Sequence, residues 1–353
     1  MSKDQRLATL ALLSAFVVAS CGGGSDSASV APPPPAPPPP APAPAPGAGP
    51  TNAERSAAAT ATATTNPMCS EATLGSYYWE IGDAGGVKVS GSVGANAPEA
   101  TTKMWIFSSS KWLYAANVVE KRGVRSDDVP FLNFTSGYTE FGNAPLCNGA
   151  TVESCHAGWD TLNPATKGHF FYDSGHMQYH AATRMGLGLA DNAALAADLN
   201  ATIGNFGFSY RVPQLAAGVE ATPQAYAGFL RSMMRGDLAL GAALGANKKC
   251  ANPAAANCDA VSSPEVGTNE DWNYSLGHWV EDDPNIGDHA FSSAGGGGFY
   301  PWIDHGKKYY GIVARERETE SDAGYHSAQC GRLIRQAWMT GEKVTTTNPT
   351  PAR

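Results

Sequence analysis

The chain is poor in charge: 16% of its 353 residues are Asp, Glu, Lys or Arg, and the acidic ones prevail for a formal net charge of -8. No cluster of Lys and Arg stands out, so a phosphate-tracking surface is missing and nucleic acid is excluded as a partner. No CxxC pair occurs, the close spacing with which cysteine zinc sites begin, and no HExxH. His176 and His180 are four apart, yet no Glu stands between them in the metallohydrolase arrangement. Neither a metal nor a cofactor is expected. Internal repeats are absent, and after residue 65 no further linker interrupts the chain.

What is present begins with "MSKDQRLATLALLSAFVVASC", a short basic start followed by an apolar run that ends in small residues. The run Leu7 to Ser20 is too short for a membrane span and reads as an export signal. Its "VASC" end resembles the lipobox of bacterial lipoproteins, which makes Cys21 the lipidated mature N-terminus and residues 1–21 the signal peptide. Residues 22–65 carry a Gly/Ser stretch and a Pro/Ala tract that favours polyproline II. They are expected to form a disordered tether between the anchor and one large domain over residues 66–342, with 343–353 as a flexible tail. This places the domain in the cell envelope, on the periplasmic side of a membrane to which Cys21 holds it. Gly22, where an aspartate would retain the protein, favours the outer membrane.

Seven cysteines less the lipidated one leave six, an even number in an exported chain, so three disulfides are expected. Sequence does not give the connectivity. Cys147/Cys155 and Cys250/Cys258 each close a short loop, which leaves Cys69 to meet Cys330.

Two β-rich runs around a Gly turn at 77–94 predict an antiparallel hairpin at the start of the domain. Short aromatic and β-branched runs, "YSLGHWVED", "GGFYPWIDH" and "KKYYGIVARE", close it, followed by helical spacing in "HSAQCGRLIRQAWMTG". Between them lie mainly helical segments. The resulting plan is α+β, an antiparallel sheet flanked by helices in an αβα sandwich and split by an α-rich insertion.

Within "WIFSSSKWLYAANVVEKRG" Ser108 and Lys111 are three apart, so on a helix their polar ends can meet. A serine hydroxyl needs a base to become a nucleophile, and a lysine desolvated among Trp, Leu and Tyr has the lowered pKa that such a base requires. Alone, SxxK is a weak signal. A second element follows in "GHFFYDSGHMQYHAATRMG", where Tyr172 and Ser174 form YxS ahead of a helical run.

With these two elements the chain resembles the serine β-lactamase and penicillin-binding protein superfamily, in particular its class C, esterase and D-aminopeptidase branch. Three further segments, "VRSDDVPFLNFTSGYTEF", "QLAAGVEATPQAYAGFLRSMMRG" and "FSSAGGGGFYPWIDHGKKYYGIVARE", are similar to family segments in the same order, so the resemblance spans Trp79 to Arg315. It implies that Ser108 is the nucleophile, Lys111 its general base, Tyr172 the proton shuttle to the leaving group and Ser174 a hydrogen-bonding support. The family's third element, KTG or HxG, is replaced by "SSAGGGG". There Gly295 and Gly296 are the candidate oxyanion amides beside Ser108 N–H, and Ser293 stands where a lysine would hold a substrate carboxylate. The missing cation favours a neutral ester or small amide as the small-molecule substrate, unless Lys307 or Arg211 reaches the pocket. The alternatives are a true β-lactamase or D-Ala carboxypeptidase, and a non-catalytic envelope-binding lipoprotein on the same scaffold. Oligomeric state is left open.

Overall fold

The computed structural model describes residues 49–142, 147–320 and 322–350. Eight strands form one antiparallel sheet in the order β2-β1-β11-β10-β9-β8-β7-β6. These are β1 (Tyr77–Asp83), β2 (Gly86–Val93), β6 (Lys249–Cys250), β7 (Asn273–Ser275), β8 (His278–Val280), β9 (Phe291–Ser292), β10 (Tyr300–Ile303) and β11 (Tyr310–Ala314). A small second sheet has the order β3-β5-β4, from β3 (Met104–Trp105), β4 (Ser209–Tyr210) and β5 (Val219–Ala221). The helices are α1 (Asn52–Thr65), α2 (Glu71–Leu74), α3 (Ser110–Arg122), α4 (Val129–Leu132), α5 (Gly175–Thr183), α6 (Asn192–Ile203), α7 (Pro223–Arg235), α8 (Glu265–Thr268) and α9 (Ala323–Thr340). The fold is therefore the expected α+β plan: strands at both ends of the chain share one sheet, and α3 to α7 fall in the insertion between β2 and β6.

The first and last strands meet because β1 is buried on both faces and pairs with β2 on one edge and β11 on the other. A continuous apolar run suits such a central position, whereas β2, with alternate residues half-buried, suits the edge. The segment "YSLGHWVED", read as one strand, is a tight hairpin instead. Leu276 and Gly277 both take positive φ, 40° and 78°, and so reverse the chain between β7 and β8.

The disulfides are Cys69–Cys330, Cys147–Cys155 and Cys250–Cys258, the pairing expected from spacing. The first ties the turn before α2 to α9.

The domain boundaries differ from those expected. Residues 52–65, placed in the tether, form α1, started by a capping box between Thr51 and Glu54 and docked on α9 through Arg55, which donates to the carbonyls of Trp338 (2.7 Å) and Met339 (3.1 Å). The helix escapes hydrophobic periodicity because its buried face consists of Ala58, Ala59, Thr62 and Ala63. The tail is likewise held: Val344 is buried, its N–H donates to Thr62 Oγ1 (3.0 Å), and its carbonyl accepts from Asn66 Nδ2 (3.0 Å). Cys21 and the Pro/Ala tract lie outside the described residues.

Candidate active site

A single 3-10 turn, Phe107–Ser109, leads from β3 into α3 and carries Ser108 at its centre. The small sheet fixes its entry, with Ile106 N–H donating to Val219 O (3.1 Å) and Trp105 Nε1–H to Ala217 O (2.6 Å). Phe107 sits at φ 46°, a conformation that costs a bulky residue of order 1–3 kcal/mol. Strain of this kind directly before a partly exposed serine has to be held by its surroundings. The two other serines of the run do so. Ser109 Oγ donates to Ser293 O (2.5 Å) and Phe299 O (3.1 Å), which pins the turn to β9 and β10. Ser110 Oγ donates to Phe107 O (2.6 Å) and accepts from Val219 N–H (3.1 Å). Both are fully buried, so the three-serine run holds one accessible hydroxyl and two that position it.

Lys111 is in the first turn of α3, buried, with Nζ donating to Ser108 Oγ (2.9 Å) and Ala216 O (3.0 Å). Its ammonium lies 4.7 Å from the Tyr172 ring centroid and 5.9 Å from that of Phe134. Burial pulls its pKa down to about 7, opposed by the charge of Asp173. A lysine in this state exchanges its proton near neutrality, which an exposed lysine does not.

Tyr172 lies in the same cluster, buried, stacked on Trp279 at 5.5 Å and edge-on to Phe134 at 5.3 Å. Ser174 is fully buried, and its hydroxyl accepts from Gln214 Nε2 (3.0 Å). Its contact is with the segment that leads to the Ala216 carbonyl.

On the facing strand Ser293 Oγ donates to Ser108 O (3.3 Å). Gly295 differs from the expected role. Its N–H is committed to Phe299 O (2.8 Å) as the last rung to β10, and a Cβ there would fall 2.2 Å from Ile106 O. The glycine serves close backbone approach rather than oxyanion binding. Because Ser293 and Gly295 N–H both point to the β10 arm, alternation directs the amide of Ala294 between them to the other side. Gly296 is exposed at the turn, and Ala294 adjoins Ser293. Among the described residues neither Ser108 N–H nor Ala294 N–H has a backbone acceptor.

The other cations are engaged. Lys307 Nζ donates to Gly241 O (2.7 Å) beside Phe291. Arg211 lies over Trp105 at 4.4 Å and pairs with Glu318 (2.9 Å). His176 is buried between Ser136 Oγ (2.6 Å) and Phe171 O (2.9 Å), and His180 between Tyr114 OH (2.7 Å) and Asp128 (3.1 Å). Their spacing thus serves two separate packing sites.

No protein-family model and no curated protein matches the chain. Solved structures do. A β-lactamase from Mycobacterium bovis superposes with a TM-score of 0.52 at 15% identity, covering 75% of this chain and 96% of that one. EstCE1, a hydrolase with promiscuous acyltransferase activity, gives 0.54 at 12%, covering 79% and 97%. A D-stereospecific amidohydrolase from Streptomyces sp. gives 0.50 at 14%, covering 83% and 99%. The chain has the fold of the serine β-lactamase and transpeptidase-like superfamily, to which these hydrolases belong.

Proposed function

We propose that the protein is a serine hydrolase that works through an acyl-enzyme on a carboxylic ester or a small amide. The observation that carries this reading is the 2.9 Å contact between the partly exposed Ser108 hydroxyl and a fully buried lysine whose pKa burial lowers to about 7. As the neutral amine, Lys111 takes the Ser108 proton while Oγ bonds to the substrate carbonyl carbon. Tyr172, beside the Lys111 ammonium, passes the proton to the leaving group, and water then releases the acid. The N–H of Ser108 with that of Ala294 or Gly296 faces the oxyanion.

The ester preference rests on Ser293, a neutral residue at the strand position beside the nucleophile, and on the commitments of Lys307 and Arg211 to other partners. The test is hydrolysis of short p-nitrophenyl esters and of nitrocefin by the purified protein, with Ser108→Ala as control. Ester cleavage that the variant lacks, with nitrocefin untouched, is the expected result. Efficient nitrocefin cleavage overturns the ester preference, and an inactive wild-type protein overturns the enzyme reading. The domain works at the envelope, tethered through lipidated Cys21 on the periplasmic side; Cys21→Ser should move it from the membrane fraction to the soluble one.

A further inference from the structure

Lys111 Nζ donates to the Ser108 hydroxyl and to the carbonyl of Ala216, and that carbonyl belongs to a stretch of chain that cannot hold itself in place. Residues 213–218 run between β4 and β5 as an irregular turn, yet every one of them is buried. Buried backbone outside helices and sheets has to find partners for its peptide groups elsewhere. Gln178 supplies them. It is on α5, fully buried, and its Nε2 donates to Pro213 O (2.8 Å) while its Oε1 accepts from Leu215 N–H (3.2 Å). Nε2 also donates to Val152 O (2.8 Å), in the loop closed by Cys147–Cys155. Ser174 stands four residues earlier on the same side of the helix and accepts from Gln214, between those two contacts. On the far side Trp105 Nε1–H closes on Ala217 O (2.6 Å). Ala216 is thus fixed from both sides, with its carbonyl 3.0 Å from Lys111 Nζ.

We propose that Gln178 is a positioning residue for the general base: by holding the Ala216 carbonyl against Lys111, it orients the amine so that the lone pair faces Ser108 Oγ. The inference rests on the reading of Ser108 and Lys111 given above. A neutral amine has two hydrogens and one lone pair, and the lone pair alone can take the Ser108 proton. One N–H committed to Ala216 O keeps the lone pair out of that direction and leaves it for Oγ, 2.9 Å away. In the step concerned, the proton passes from Ser108 Oγ to this lone pair as the Oγ–C bond forms and the carbonyl π pair of the substrate moves to the oxyanion. The Ala216 carbonyl then accepts from the ammonium, a hydrogen bond that favours the charged form. Gln178 takes no proton and acts through the segment it clamps.

The experiment compares Gln178→Met, which keeps the length of the side chain and loses its three hydrogen bonds, with Asn66→Ala, which removes two bonds from a buried amide to the carbonyls of Val344 and Thr346. Both should lower the urea unfolding midpoint. Gln178→Met alone should also change the chemistry. On the p-nitrophenyl ester its kcat should fall about 10- to 100-fold with KM close to the wild type. The acid limb of the kcat/KM profile should move to lower pH by about one unit, since an ammonium deprived of an acceptor gives up its proton more readily. The Lys111 midpoint, followed by NMR in protein carrying labelled lysine, should fall with it. Tyr172 and Asp173 ahead of α5, Tyr274 on β7 and His278 on β8, the titrating groups around Lys111 and its helix, keep their side chains in both variants. A Gln178→Met protein that loses stability yet keeps kcat, acid limb and midpoint overturns the proposal and leaves Gln178 a support of the fold. Should that variant not fold, Gln178→Asn, which draws the amide back by one methylene, is read in the same way, and an unmoved limb and midpoint refute the role. A wild-type protein without ester hydrolysis whose Lys111 midpoint still falls in Gln178→Met refutes the hydrolase reading alone, since the NMR titration does not depend on turnover.

Discussion

Two regions of this molecule bury cations completely and treat them in opposite ways. Beneath the main sheet, α9 sends Arg335 to Asp288 and Glu281 (both 2.6 Å) and to Tyr300 OH (3.0 Å), while Arg332 meets Glu270 (2.5 Å) and the carbonyl of Ile286 (2.8 Å). Burial works against the charge of Arg335, but Asp288 and Glu281 outweigh it and hold the guanidinium well above its ordinary pKa. At the head of α3 the same burial is opposed by one carboxylate, and Lys111 falls to about 7. A buried cation with full partners is scaffold, because it never changes state. One left short of partners is poised to exchange a proton, at a cost in stability.

The sharpest way to break this contrast is at the hydroxyl it serves. Ser108→Ala should lower kcat/KM on p-nitrophenyl esters by about 10³-fold or more while leaving the urea unfolding midpoint close to the wild type. Tyr172→Phe should follow with a loss of about 10²-fold, typical for removal of a positioned proton carrier. On the scaffold side the order inverts: Arg335→Met strands Glu281 and Asp288 in the interior and should cost about 3–5 kcal/mol by urea unfolding, with the folded fraction still labelled by a fluorophosphonate.

Lys111→Met sharpens the comparison through its pH dependence. The native pKa near 7 lies below the unfolded value near 10.5, so the unfolded chain binds the extra proton between those limits and wild-type stability rises with pH across that window. The difference in Tm, variant minus wild type, should therefore be largest at pH 6 to 7 and shrink towards pH 10; a difference independent of pH contradicts the buried-base picture. The last comparison concerns the staples. Opening Cys69–Cys330, which spans 261 residues, should cost more in unfolding free energy than opening Cys147–Cys155, which spans 8, by about 3 kcal/mol in the loop-entropy account.

The fold was legible from the sequence because its signals are local and ordered: a hairpin, an SxxK turn, helical runs and closing strands follow one another as in a known superfamily. The short-loop cysteine pairs could be read from spacing, and the long one by elimination. The helix Asn52–Thr65 was not legible, since it buries alanines and a threonine and so carries no apolar stripe; its docking depends on Trp338, nearly 300 residues away. The division of labour among Ser108, Ser109 and Ser110 was hidden for a related reason. Three identical side chains acquire different roles only from what approaches each of them.

The i, i+3 spacing of Ser108 and Lys111 is a property of the chain itself, for any helical turn projects both side chains from one side. The commitment of the Gly295 amide belongs to the assembled sheet, because the direction of an amide depends on which neighbouring strand accepts it and the one two residues before it, here through Phe299 and Pro301 of the β10 arm. The charge state of Lys111 belongs there too: desolvation and the field of Asp173 arise only once α3, the segment before α5 and the main sheet have closed around it.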